Sequence, residues 1–310
     1  MMGARLASIS VDVDSLHHYL RIHGNATGEP DRKVWRLAMP RFLDLFDEHD
    51  VRATFFVVGE EASWNSEMLR VLASLGHEIA NHSFRHLYDL WQQPALVQQD
   101  EIAHAHDAIA AACGVAPVGF RAPGYSVSES LLDAVRALGY RYDSSVFPAV
   151  PYYLAKAAVI ASQRLLSRPV GSSLGPAKVL AAPRHPYFPD PHNWRRRARS
   201  GSFVELPIPV VPPLAFPYIG TTILTTPRPV FRWLTRAVCA RYDYVNVELH
   251  GIELLDFAAD SIDPRLRKQP DLQIPFVEKR ERLIELFSIL RREGFEIVPI
   301  REAASRVAIG

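Results

Sequence analysis

Short apolar runs alternate with longer amphipathic segments along most of this chain. The runs 6–11 and 51–59 contain the β-branched and aromatic residues that are typical of buried strands. Between them, the segment 34–48 repeats apolar residues at the spacing of one helix face. Strands that alternate with helices predict an α/β fold, in which helices cover a mostly parallel sheet.

The same alternation continues through the first half of the chain and resumes near its carboxyl end. It predicts helices at 66–75, 94–112, 128–138, 229–240 and 275–292, and strands at 77–80, 118–121, 244–249 and 295–299. Because each unit has the length of one βα repeat, we expect these elements to build a single barrel-like sheet.

Residues 147–202 interrupt this pattern with proline-rich and arginine-rich sequence. One apolar helix is predicted there, at 152–166. The segment lacks a balanced apolar core of its own. We therefore interpret residues 1–310 as one domain that carries an irregular insertion at about 148–202.

Composition and charge exclude several classes of protein. With 48% hydrophobic and 22% charged residues, the chain has the composition of a soluble globular protein. Its 35 basic and 34 acidic residues give a net charge of +1, which provides no long-range attraction for nucleic acid or an anionic membrane. Cys113 and Cys239 form no C-x-x-C motif, so reduced thiols are expected. A neutral or zwitterionic small substrate fits this balance.

The location of the protein is predicted from two segments. The amino terminus reaches charged residues without the apolar core of a signal peptide, so we expect a cytoplasmic protein. Prolines within the uncharged stretch 206–227 exclude a transmembrane helix. We interpret this stretch as core strand and rim loop. The alternative is an apolar wall beside the site, suited to a lipid-linked sugar at the inner membrane face.

A pair of histidines is the first candidate for chemistry. His82 and His86 lie four residues apart, on one face if the local chain is helical, so both imidazoles could reach one metal ion. In a chain with 12 histidines such a pair also arises by chance, and two polar residues on a loop are the alternative. The pair alone therefore does not establish a metal site.

Polar residues at the ends of predicted strands strengthen the case. Asp12 and Asp14 follow the first strand and point to the same side of it, so one could bind metal while the other takes a proton. Arg121 and His250 follow two other strands. Amide hydrolysis needs a metal that polarises the carbonyl, a base, an oxyanion donor and an acid for the amine. The chain has a candidate for each part.

The order of these motifs resembles the polysaccharide deacetylase (NodB-like) family, carbohydrate esterase family four. The motifs are DVD, HSFRH, RAPGY and LHG, and they span residues 9–250. The DVD spacing resembles the family branch with aspartates at D-x-D, which includes peptidoglycan-type deacetylases and cyclic amide hydrolases. The resemblance implies a distorted (β/α) barrel of about seven mostly parallel strands.

The resemblance also implies a role for each matched residue. It makes Asp12 the general base and Arg121 the residue that orients it, with His250 as the general acid. It makes Asp14, His82 and His86 the ligands of one divalent ion. Zinc is the expected ion, and nickel, cobalt and manganese are alternatives.

Two further positions depart from the family pattern. Gly124 occupies the place of an aromatic residue whose backbone N–H helps to form the oxyanion hole, and the aromatic residue follows as Tyr125. Glu205 is the candidate for a supporting carboxylate that orients Arg121 or His250.

The predicted function is removal of an N-acetyl group from an amino sugar in a polysaccharide, glycolipid or lipid-linked sugar. A deformylase, a hydrolase of cyclic imides or ureides, and a non-catalytic carbohydrate-binding pseudoenzyme remain as alternatives. The partners expected are an N-acylated sugar or glycolipid and no nucleic acid, because the Arg195–Arg197 run is interpreted as a solvated loop. Peripheral membrane contact and a homo-oligomer are compatible with the sequence.

Overall fold

A long strand at the start of the chain forms the middle of the fold. The computed structural model describes residues 5–22, 31–167 and 170–307. In it, β1 (Arg5–Val13) is buried at every position after the first. A strand with both faces buried is typical of a parallel sheet that is covered by helices.

Eight strands form the main sheet and four others form two small hairpins. The strands are β1 (Arg5–Val13), β2 (Thr54–Val57), β3 (Glu78–Asn81), β4 (Gly119–Phe120), β5 (Tyr142–Asp143), β6 (Pro189–Asp190), β7 (Asn193–Arg197), β8 (Val204–Glu205), β9 (Val210–Val211), β10 (Phe216–Pro217), β11 (Tyr244–His250) and β12 (Phe295–Ile297). The order in the main sheet is β11-β1-β2-β3-β4-β5-β8, and β12 pairs with the start of β1. Seven strands along this path form a curled half-barrel. The predicted α/β barrel-like fold is confirmed.

All described pairings in the main sheet are parallel. The carboxyl ends of its strands therefore meet at one edge. On one side of β1 the register pairs Asp12 with His250, and on the other side it pairs Asp12 with Phe56. Two residues that are far apart in sequence thus become neighbours through the sheet alone.

Eleven α-helices occur in the described residues. They are α1 (Leu16–Ile22), α2 (Met39–Glu48), α3 (Gly59–Ala62), α4 (Ser66–Ser74), α5 (Ala95–Cys113), α6 (Glu129–Ala137), α7 (Val150–Leu165), α8 (Gly220–Thr225), α9 (Arg228–Arg241), α10 (Phe276–Arg292) and α11 (Ile300–Arg306). The helix predicted at 34–48 begins with a π-helical turn, Val34–Ala38. The short α1 was not predicted, because its polar LHH sequence shows no helical repeat of apolar residues. None of the described helices is both long and apolar enough to cross a bilayer.

The segment predicted as an insertion has little regular structure beyond α7. It also contains a 3₁₀ turn, Ala177–Ala181, and the antiparallel hairpin of β6 and β7. Trp194 on this hairpin is buried against Val179 and Phe203. The predicted helix at 152–166 is therefore confirmed as α7, and the division into one domain with an insertion stays our interpretation.

A buried polar network holds the middle of the sheet. Glu78 accepts hydrogen bonds from the Thr54 hydroxyl at 2.8 Å and from the Tyr142 hydroxyl at 3.0 Å. The Tyr142 ring crosses over Gly119, so closely that a Cβ on Gly119 would lie 1.9 Å from Cζ of the ring. Only glycine fits at position 119 while the tyrosine keeps this hydrogen bond.

We expect Gly119→Ala to lower the free energy of unfolding by about 1–3 kcal/mol, because the methyl group displaces the Tyr142 ring from Glu78. Urea denaturation measures this loss. In a Tyr142→Ala background the ring is absent and the same substitution should cost much less. Equal costs in the two backgrounds would contradict the steric explanation.

Candidate active site

The carboxyl edge of the sheet gathers most of the predicted site residues. Asp12 lies near the end of β1 and Asp14 directly follows this strand, while His250 ends β11 and lies beside Asp12. Asn81 of β3 pairs with Phe120 of β4, so the next residues of each strand, His82 and Arg121, also lie side by side. The parallel register is therefore the cause of the cluster.

Asp14, His82 and His86 form a compact group of potential metal ligands. One ligand atom from each lies within 4.8 Å of the others. Nε2 of His82 and Nε2 of His86 lie 3.5 Å and 3.4 Å from the same atom, Oδ1 of Asp14. The three residues that the resemblance implies as ligands are brought together.

A tight loop, not a helix, brings the two histidines together. Residues 82–89 contain no helical turn, and Ser83 and His86 have positive φ angles of 64° and 54°. The loop is held by Oδ1 of Asn81, which accepts a hydrogen bond from the Ser83 amide at 2.8 Å. The helical geometry considered for the pair does not apply, because these left-handed residues turn the chain back on itself.

The environment of this group suits a bound cation. Burial lowers the pKa of both His82 and His86, so their imidazoles stay neutral, which is the form that binds metal. Burial also raises the pKa of Asp14 well above its usual range. Without a cation, ionisation of this carboxyl is therefore unfavourable.

Several atoms of this group lack a hydrogen-bond partner, which also indicates that the group could bind a metal ion. Oδ1 of Asp14 and both ring nitrogens of His86 are buried and lack a hydrogen-bond partner among the described residues. Such atoms are costly unless they bind something. His82 is already oriented, since its Nδ1 lies 2.7 Å from the Arg121 carbonyl and leaves Nε2 free. A cation in this group would satisfy Oδ1 of Asp14 and one ring nitrogen of each histidine.

Arg121 and Asp12 form a buried ion pair beside this group. Nη1 of Arg121 donates to Oδ1 of Asp12 at 2.6 Å, and its Nε donates to the Ser144 carbonyl at 2.9 Å. The guanidinium lies over the Phe56 ring, with Cζ 4.1 Å from the centroid. This pair leaves Oδ2 of Asp12 unengaged by Arg121, 3.8 Å from Nε2 of His82.

His250 on the other side of the cleft is paired with a carboxylate. Its Nδ1 lies 3.0 Å from Oε1 of Glu248, and Nε2 lies 3.4 Å from the Tyr125 hydroxyl. Tyr125 donates to the same Glu248 oxygen at 3.0 Å. Burial lowers the pKa of His250, but the charge and hydrogen bond of Glu248 outweigh burial and raise it well above its usual value. The imidazole is therefore protonated at neutral pH.

Gly124 and Tyr125 contribute different groups to the cleft. Both have positive φ angles, 63° and 59°. The Tyr125 amide donates to the Ala122 carbonyl at 3.1 Å, so this N–H is engaged within the turn. Tyr125 contributes its hydroxyl instead, and the predicted role of backbone donor stays with Gly124.

Glu205 does not contact either residue that it was predicted to orient. It is fully buried and accepts a hydrogen bond from the Val146 amide at 3.0 Å. Burial and the neighbouring Asp143 raise its pKa well above its usual range. In the described residues Ser144 accepts hydrogen bonds from Arg121, and Glu248 pairs with His250. Glu248 was not predicted as a site residue, because it lies within the apolar run 244–249.

Behind the first group lies a second polar cluster that the sequence analysis missed. His18 stacks on His86 with 4.6 Å between ring centroids, and its Nε2 lies 3.2 Å from Oε1 of Glu61. His17, His18 and Glu60 also bring ligand atoms within 4.8 Å of one another. The HH doublet shortly after DVD was the available signal. Through the contact between the His18 and His86 rings, this cluster supports the position of His86.

The cleft in front of these residues has a volume of about 280 Å³. The predicted metal ligands and His250 form its base. Its walls carry Tyr88, Tyr125, Tyr152, Lys156, Ile160, Ile219 and Thr221. Ile219 and Thr221 belong to the uncharged stretch 206–227, so part of that stretch does line the cleft.

Part of this chain is similar in sequence to known proteins. The polysaccharide deacetylase profile matches residues 31–142. A peptidoglycan deacetylase from Helicobacter pylori is 26% identical over 155 residues, which are 48% of this chain and 53% of the relative. The resemblance to the polysaccharide deacetylase family is confirmed for this matched part of the chain. It spans about half the length of this curated relative.

Solved structures of this deacetylase fold agree with the sheet described above. A candidate polysaccharide deacetylase from Mycobacterium smegmatis is 20% identical, with a TM-score of 0.58 and coverage of 98% of this chain and 91% of that one. A CE4 family pseudoenzyme from Bacillus anthracis is 13% identical, with a TM-score of 0.51 and coverage of 97% and 66%. These likenesses concern the fold.

We expect Glu248→Gln to lower the pKa of His250, because the substitution removes the anion and leaves burial to favour the neutral imidazole. NMR titration of the histidine ring should show deprotonation at a lower pH than in the unmodified protein. Glu129→Gln, in a surface pair with Lys178, serves as the matched control and should leave His250 unchanged. An unshifted His250 titration in Glu248→Gln would contradict the pairing.

Proposed function

We propose that this protein is a metal-dependent amide hydrolase that removes an N-acyl group, in the first place acetyl, from an amino sugar. One observation carries the proposal. A group of three potential ligands lies next to an arginine-paired carboxylate, Asp12, and a glutamate-paired histidine, His250, and all five residues line one cleft.

Asp14, His82 and His86 would hold the metal. Two imidazoles and a carboxylate leave coordination positions open, as catalytic zinc sites do, so zinc is the ion we expect. When bound, the ion supplies Lewis acidity at the amide carbonyl and lowers the pKa of water.

Asp12 acts as the base. Arg121 binds Oδ1 and fixes the carboxylate, so that Oδ2 is the oxygen available to remove a proton from the attacking water. Arg121 is thus a positioning residue.

His250 acts as the acid. Glu248 keeps its imidazolium charged, so the ring has a proton to give to the departing amine. The Tyr125 hydroxyl beside Nε2 orients the ring toward the cleft. The Gly124 amide is the backbone donor that we assign to the developing oxyanion.

The relatives support deacetylation as the reaction. They include a peptidoglycan deacetylase and a chitooligosaccharide deacetylase, the latter from Bradyrhizobium sp. and 41% identical over 85 residues. The matched parts are only 53% and 38% of these two relatives, so their names do not define the substrate of this chain. We infer the substrate from the residues of the cleft instead. A formamide or a ring amide uses the same groups, and the pseudoenzyme among the structural neighbours makes catalysis itself the first thing to test.

Metal content is the first expected outcome. The purified protein should contain about one divalent ion per chain, and Asp14→Ala should lose it. Asp12→Asn should retain the ion while kcat/KM falls by about 10²–10⁴-fold, because only the base is removed. Mass spectrometry of the metal together with steady-state kinetics separates the two effects. A metal-free protein after growth with added zinc would overturn the proposal.

Product analysis decides among the acyl groups. We expect the protein to release acetate from a panel of N-acetylated amino sugars and to lose this activity on chelation. Release of formate from N-formyl sugars alone would favour the deformylase alternative, and turnover of cyclic imides alone would favour the ring-amide hydrolase. A metal-loaded protein without turnover on any of these would favour a pseudoenzyme.

A further inference from the structure

Helix α7 is apolar, yet most of its surface is exposed. Among its residues only Ile160 is buried, whereas Leu154 and Leu165 are 60% and 86% exposed and do not line the cleft. Residues of this kind normally pack into a core or against a partner. The outer face of α7 therefore lacks a covering surface among the described residues.

The neighbouring hairpin of β9 and β10 extends this apolar surface. Strand β10 packs against α7. In the hairpin, Leu214 is 74% and Phe216 is 38% exposed. We call α7 together with this hairpin the apolar rim.

The segment that contains α7 is free of acidic residues. No aspartate or glutamate occurs between Ser144 and Pro189, while five lysines and arginines do. Across residues 144–204 there are nine basic residues and one acidic residue. The net charge of +1 therefore conceals a strongly basic segment.

The inner side of α7 faces the cleft and carries a cation. Lys156 is in the cleft wall, with Nζ 3.3 Å from the position that a Cβ of Gly124 would take. Its ammonium makes no ion pair with any described carboxylate. Burial lowers the pKa of Lys156 to about 8. A largely buried cation without a counter-charge is suited to an anionic ligand.

A second cleft continues from the first along α7. The two share His86, Tyr88, Ile160 and Ser172. The second cleft carries Arg21 and Arg164, and its acidic residue is Asp89, which accepts a hydrogen bond from Gln93. Positive charge thus continues from Lys156 toward the end of the helix where Leu165 is exposed.

We infer that the apolar rim docks on an anionic bilayer and presents the phosphate-bearing headgroup of a glycolipid to the cleft. In this arrangement Leu154 and Leu165 enter the headgroup region and Lys156 pairs with the phosphate. Amphipathic helices with basic residues bind anionic bilayers in this way. Docking is independent of catalysis, whereas the glycolipid as substrate rests on the proposed function.

Charge favours a bilayer over a second copy of the chain as the occupant. A symmetric dimer through the apolar rim would place the basic α7 segment of one copy against the same segment of the other. Like charges would then repel across the interface, whereas anionic lipid attracts them.

Vesicle binding tests the docking surface. Flotation with phosphatidylcholine and phosphatidylglycerol at a ratio of about seven to three should recover the protein with the vesicles. The double variant Leu154→Ser, Leu165→Ser should bind at least about tenfold more weakly. Leu96→Ser, at a residue 73% exposed on α5, is the control and should bind as the unmodified protein does. Equal binding by the double variant, or no binding by the unmodified protein, would overturn the inference.

Sedimentation distinguishes the other occupant. A dimer that dissociates in the double variant would assign the apolar rim to a second copy and overturn membrane docking. Vesicle binding by a protein that hydrolyses no amide would support docking while the proposed function fails.

Headgroup binding tests Lys156 separately. Calorimetry with N-acetylglucosamine 1-phosphate and N-acetylglucosamine should show about tenfold tighter binding of the phosphate form, or 1.4 kcal/mol. Lys156→Met should abolish this difference, while Lys178→Met, whose lysine pairs with Glu129 outside the cleft, should retain it. Equal affinity of the unmodified protein for the two sugars would overturn the role of Lys156.

Discussion

The buried ion pair of Arg121 and Asp12 is the constraint on which the site depends. A guanidinium taken out of water is stable only where a carboxylate and further acceptors surround it, and here Asp12 and Ser144 supply them. The pair ties the end of β4 to the end of β1 across two intervening strands. It fixes one oxygen of Asp12, and through the Arg121 carbonyl it also fixes His82. One interaction thus orients both the proposed base and a proposed ligand.

Around this pair, the proposed acid and base acquire opposite character from their surroundings. Asp12 is held by the Arg121 guanidinium, whereas His250 faces Glu248, which favours the protonated form of the imidazole. Both are on neighbouring strands in direct register. The sheet therefore holds the proposed proton acceptor and the proposed proton donor side by side, next to the potential metal ligands. Burial of those ligands disfavours charge there unless a cation is present.

Helix α7 connects this polar base to the outside of the molecule. Its inner face lines the cleft with Tyr152 and Lys156, and its outer face exposes Leu154 and Leu165. The same helix therefore lines the cleft and also forms part of the apolar rim. Because one face of α7 lines the cleft and the other face is apolar and exposed, this helix connects the chemistry of the cleft with docking at a surface.

The sequence by itself determined the alternation of strands and helices, because periodicity reflects burial of each element against its neighbours. It also determined which residue types stand at strand ends, and hence Asp12, Asp14, His82, His86, Arg121 and His250 as candidates. Only the tertiary structure decided how they meet. The loop that joins His82 and His86 depends on left-handed residues, and Glu248 became a partner of His250 because its side chain points to the inner face of the sheet. Glu205 had the right residue type but lies on the wrong strand, and the exposure of α7 depends on packing that no local pattern encodes. Sequence patterns report which side of an element is buried, whereas contacts between distant elements arise only when the sheet sets their register.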